Sequence, residues 1–197
     1  MNYGLRNSPY YVARALCTHL QKYVGAILDE ELSYFRDHLA EQALSGRPEL
    51  TIQFDQIQFR TAPELLRPPS RYFFLVLPQT TLPKREGTEM EFGLPRHGGP
   101  SHDITFSHDL ILYGAAQNTS PESGLSMEEA RDVEAQAMIW AAFLLLTDQE
   151  KTNLLKSQSI GKIGIGQLAF GRSSNSLPGK QPIFTSYGAL HLQAFTQ

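Results

Sequence analysis

The chain has 197 residues, 41% hydrophobic and 19% charged, enough for one domain that buries about 70% of the surface its unfolded chain exposes. Seventeen Lys and Arg against 20 Asp and Glu leave a net charge of −3, which argues against a protein that coats nucleic acid, because affinity for phosphates comes from clustered cations. The single cysteine, Cys17, cannot form an internal disulfide and suits a reducing cytoplasm, and the longest apolar run, 137–146, is about half a membrane span, so neither export nor a membrane is expected.

Ser8-Pro9 reads as a helix N-cap followed by proline at the first helical position. Val12, Leu16, Leu20, Val24, Ile27 and Leu28 then repeat at helical spacing, and the helix is expected to run through Leu32, Phe35 and Leu39 to about Leu44, where Ser45-Gly46-Arg47-Pro48 stops it. Gly25 marks a break or a close contact within it. Next, Leu50, Ile52 and Phe54 alternate before the apolar parity flips to Ile57 and Phe59, which predicts a bulge near Asp55-Gln56. After turn material at 62–70, the run Tyr72-Phe73-Phe74-Leu75-Val76-Leu77 is apolar on both parities, a strand covered on both faces.

From about 78 to 103 four prolines and four glycines, with Lys84, Arg85 and Arg96 among acidic neighbours, read as a projecting loop between two strands. Ile104, Phe106, Leu110 and Leu112 alternate as the next strand, and 114–124 reads as a surface loop. Ser126-Met127-Glu128-Glu129 is a capping box. It opens a central amphipathic helix with Ala130, Val133, Ala137, Trp140, Ala141 and Leu144 on its apolar side.

The stretch 148–157 is polar; Ile160, Ile163, Ile165, Leu168 and Phe170 form a strand with a parity slip, 171–182 is a second loop, and 183–195 is the last strand. The fold expected is one α/β (α+β) domain over 1–197. It consists of a mixed, mainly antiparallel sheet of about five strands, with the long N-terminal helix and the central helix packed on it.

A search for chemistry finds little. His97, His102, Asp103, His108 and Asp109 are the one cluster of potential ligands. His102 and His108 on a common strand face lie about 20 Å apart at 3.3 Å per residue, whereas one ion needs each nitrogen at about 2.1 Å. The glycine-rich stretch 161–166 lacks the phosphate-loop pattern G-x-x-x-x-G-K-[ST] and no helix follows it. Cys17 and His19 are two apart on a helix and do not face each other. Neither a metal nor a cofactor is expected, and the chain reads as a protein without catalysis.

The succession "RYFFLVLPQ", "HDITFSHDLILYGAA", "SMEEARDVEAQAMIWAAFLLL" and "GALHLQAF" resembles the tail-terminator, or tail-completion, proteins of tailed bacteriophages. The likeness lies in the order of elements over most of the chain. It implies a structural virion protein of the tail and neck, assembled in the host cytoplasm. Such a protein forms a ring, commonly a homohexamer, on the last ring of the tail tube protein, ends tube growth and offers the surface to which the head-tail connector or adaptor docks. DNA would pass through the lumen without specific binding, in keeping with the negative net charge. The family has no catalytic residues. Candidate interface positions are Lys84, Arg85 and Arg96 on the projecting loop and Tyr72, Phe74 and Val76 on the strand apolar on both parities. The rival readings are another neck, adaptor or baseplate part, separated by ring order, and an enzyme using His102, Asp103, His108 and Asp109.

Overall fold

The computed structural model describes residues 8–41, 52–61, 70–85, 104–118, 125–158, 160–176, 178–179 and 182–196. The first helix, α1 (Pro9–Glu41), starts as the sequence dictates. The Ser8 hydroxyl accepts the Tyr11 N–H at 3.1 Å and the Ser8 carbonyl accepts the Val12 N–H at 3.2 Å. Two otherwise unpaired amides of the first turn are thereby satisfied. At 1.5 Å per residue α1 is about 50 Å long. Val12, Leu16, Leu20, Val24, Leu28 and Leu32 form its buried stripe. Gly25 does not break it; a Cβ there would lie 3.2 Å from the Phe54 ring, so the glycine admits a close contact. The helix is described as far as Glu41, and both its expected end near Leu44 and the Ser45–Pro48 stop signal fall outside the described residues.

In place of the bulge expected at Asp55-Gln56 there is a 3-10 turn, Phe54–Gln56, closed by the Gln56 N–H on the Gln53 carbonyl at 3.0 Å. A turn absorbs the parity flip as well as an extra strand residue does. Five strands follow in one sheet: β1 (Ile57–Thr61), β2 (Tyr72–Arg85), β3 (Ile104–Asn118), β4 (Ile160–Asn175) and β5 (Ile183–Thr196). Their order is β1-β2-β3-β5-β4. β1 runs parallel to β2 and the other three ladders are antiparallel. The mixed, mainly antiparallel sheet is the one expected.

Strand ends differ from the expectation in a consistent way: the strands are longer and the loops shorter. Residues 78–85 of the expected projecting loop belong to β2 and pair with 104–110 of β3, with one shift between Pro78 and Thr80. β1 pairs with β2 only as far as Val76. Beyond it, among the described residues, β2 has a partner on one side only, and an edge tolerates Pro78 and Pro83 because a missing N–H there costs no ladder bond. Likewise 114–118 is strand, and so is 171–175 at the start of the second expected loop. Residues 86–103 and 119–124 lie outside the described residues.

The central helix, α2 (Leu125–Thr147), begins one residue ahead of Ser126, and the side chains of the capping box's first half are outside the description. Its phase is a correction. Of the expected side Ala130, Ala137 and Ala141 are buried, but Val133 and Trp140 are half-buried and Leu144 is 41% exposed, while Glu134, Ala135, Met138, Ile139, Ala142 and Leu145 are buried beside the alanines. The stripe is rotated by one residue, about 100°, because the run Ala137–Leu146 is apolar all round and its periodicity cannot fix the inward side. A short helix, α3 (Gln149–Asn153), is capped by Asp148, whose carboxylate accepts the Glu150 and Lys151 amides. Those bonds hold the Asp148 carboxyl below the usual carboxylate range. A 3-10 turn, Leu154–Gln158, then buries Leu155.

Candidate assembly surface

Alternation along a strand sends neighbouring residues to opposite faces, so the pairing register sorts the whole sheet. Tyr72, Phe74 and Val76 stand opposite Ala116, Gly114 and Leu112, which in turn face Ser186, Gly188 and Leu190. This is the helix-bearing face. Tyr72, Phe74, Val76, Leu112 and Leu190 are 0% exposed there, in one core with the buried stripes of α1 and α2. Tyr72, Phe74 and Val76, expected as interface positions, are therefore core residues of the chain. Both parities are apolar in the sequence, and nothing local says which one the helices cover.

The other parity forms the second face, on which no described element is packed. Phe73, Leu77, Ile111, Tyr113 and Tyr187 are half-buried there, and Leu75 is more enclosed. The Tyr113 and Tyr187 rings meet edge to face at 5.8 Å across β3 and β5, and the Arg60 guanidinium lies over Phe73 at 5.8 Å to the centroid. These half-buried apolar and aromatic side chains share the face with Arg60, Asp109, His191 and Gln193.

At the lower end of the sheet the alternation separates His108 from Asp109. His108 lies on the helix face, 0% exposed, with Nδ1 3.1 Å from the Thr81 hydroxyl and Nε2 2.9 Å from that of Thr196. Burial lowers its pKa, and the neighbouring Asp109 charge only partly opposes this. Asp109 lies on the open face, where its carboxylate accepts from the Thr80 hydroxyl at 2.7 Å and from the Gln193 amide at 3.2 Å. The two cannot act on one substrate atom. His97, His102 and Asp103 are outside the described residues. Among the described residues no group of three or more His, Cys, Asp or Glu side chains could hold a metal. Nor is any described helix long and apolar enough to cross a membrane.

Lys84 and Arg85 end β2, opposite Thr105 and Ile104. They belong to the strand and not to the projecting loop; Arg96 lies outside the described residues.

Sequence reasoning missed a polar seam between α2 and the sheet. The Tyr72 hydroxyl donates to Glu134 at 3.0 Å, with Glu134 only 1% exposed. Nearby, Arg131 donates to the Ser186 hydroxyl at 3.1 Å, and Ser186 donates to Asp132 at 2.6 Å. Arg172 of β4 donates to Asp132 and lies 3.7 Å from Glu128, and the Asp132 contact raises its pKa. The seam joins residues 40 to 62 apart in the chain. A signal for it exists only in hindsight, as the i, i+3 pair Arg131 and Glu134 on the buried side of α2.

No family model matches this chain, and a search of curated proteins finds no significant match.

Proposed function

We propose that this chain is a structural virion protein of the tail-terminator type. Copies of it form a ring, a hexamer, at the head-proximal end of a phage tail, end growth of the tail tube and join it to the head connector. The observation that carries this reading is the second sheet face, on which no described element is packed. A sheet with helices on one side normally turns a polar second face to water, yet here that face presents Phe73, Leu77, Ile111, Tyr113 and Tyr187. Neighbouring apolar and aromatic side chains left partly open to solvent are a feature of protein–protein contacts. The order of elements and the negative net charge agree with the resemblance.

Ring neighbours and the tube are the partners proposed for this face. The work is done by surface complementarity, with no chemistry and with DNA passing through an acidic or neutral lumen. Native mass spectrometry beside negative-stain imaging tests it. Sixfold rings, or a monomer that co-sediments with tail tubes, support the proposal. Twelvefold rings move the protein to the connector side of the neck, and a monomer that ignores tubes overturns the proposal.

A further inference from the structure

β4 is a sheet edge of 16 residues, with Lys162 and Arg172 its only charges and no proline. Among the described residues, none of the backbone hydrogen bonds outside helices and strand ladders involves it. Natural proteins shield such an edge with charges, prolines or covering elements, because its open N–H and C=O groups template pairing with another chain. The first half of β4 is irregular, with a register shift between Ile165 and Leu168; beyond it the pairing with β5 is regular from Leu168 to Asn175. The opposite sheet edge is a poor counterpart. β1 has five residues, and the Cys17 thiol already donates to its Arg60 carbonyl at 3.0 Å.

From this we infer that the second half of β4 pairs antiparallel with the same segment of a second copy, about a two-fold axis at Gly171. Like charges directly opposite each other are destabilising, which disfavours an axis at Arg172. With the axis at Gly171, Phe170 of each copy stands opposite Arg172 of the other. Phe170 is 49% exposed, and Arg172 is held in place by Asp132, so the aromatic face meets an already oriented guanidinium. Ala169 falls opposite Ser173, and Leu168 opposite Ser174. At the axis two glycines meet, and the Tyr187 hydroxyl fills the space beside each Gly171, 2.6 Å from where a Cβ would be. The pair closes on itself and is distinct from the head-to-tail contacts of a ring.

The test uses two separate proteins, Ala169→Cys and Ser173→Cys. Directly opposed residues of an antiparallel pair bring their Cα atoms to about 4.5–5.5 Å, within disulfide reach. Mild oxidation of the mixture is expected to give a disulfide-linked dimer that is lost when either protein is oxidised alone, since each cysteine then faces the other's native residue. No linked dimer in the mixture, or equal linkage in the single proteins, overturns the pairing. Cys17 is buried, and the unmodified protein serves as the blank. Should either variant fail to fold, native mass spectrometry of the unmodified protein decides: dimers support the pairing and monomers alone overturn it.

Discussion

Gly114 of β3 and Gly188 of β5 stand directly opposite each other, and Ile139 of α2 rests on both. A Cβ on Gly188 would lie 2.4 Å from Ile139 Cγ2, and one on Gly114 would lie 3.1 Å from the Ile139 backbone nitrogen. The two bare positions let the helix sit directly on the sheet backbone, and so set its height and its rotation.

Gly188→Ala should therefore destabilise the fold by about 1–3 kcal/mol, the usual cost of overpacking a filled core. Gly164→Ala, whose Cβ would meet nothing closer than 3.7 Å, is the control and should cost less. Urea unfolding of both variants checks this. Equal midpoints would show that α2 yields freely and that the glycine pair does not position it. Combining Gly188→Ala with Ile139→Ala should recover part of the loss, a coupling that a double-mutant cycle reads directly.

Stability should rise with pH through the histidine range. Burial lowers the pKa of both His19 and His108 below the ordinary 6.5. The unfolded chain then binds more protons in this window, so the slope of unfolding free energy against pH is positive. The contribution is fully present above about pH 6.5 and is lost as pH falls from there through the lowered folded values. Unfolding midpoints between about pH 5 and pH 8 measure it. His108→Gln should flatten the curve, and an unchanged slope would assign the effect to other groups.

Charge on the second sheet face should abolish the proposed assembly without unfolding the chain. Leu77 and Ile111 stand opposite each other there. Leu77→Glu combined with Ile111→Glu should leave the circular dichroism spectrum intact and remove rings from negative-stain images. Val76→Glu, one residue away on the 0% exposed face, should instead unfold the chain, since an unpaired charge in a core is costly. Rings formed as usual by the double variant would contradict the proposed use of this face.

Tyr72→Phe removes one donor from the Glu134 carboxylate, which is 1% exposed. A buried acceptor that loses a partner costs about 1–3 kcal/mol. Tyr34→Phe, at a residue 56% exposed, should stay within about 0.5 kcal/mol. Thermal melts of the pair decide whether the polar seam under α2 stabilises the fold or is merely tolerated.

What the sequence determined by itself is what short-range physics can encode. Ser8 and Pro9 start α1 because a cap and a fixed φ act within one turn. Strands appear where β-branched and aromatic residues alternate, and their number and mainly antiparallel pairing were legible. Element ends were not. Pro78, Pro83 and Gly114 read as loop, yet each sits in a strand, tolerated because an edge has formed beside β2 and because a helix lies on the glycine. Those are properties of neighbours, not of the segment. Faces were decided in the same way. Where a run such as Tyr72–Leu77 or Ala137–Leu146 is apolar on every side, periodicity carries no phase, and only the packing of Ile139 on Gly114 and Gly188 chose the buried side. The sheet face proposed for assembly is the complement of that choice. It could be read only once the helices were in place, because burial of one face is a long-range event that no local pattern contains.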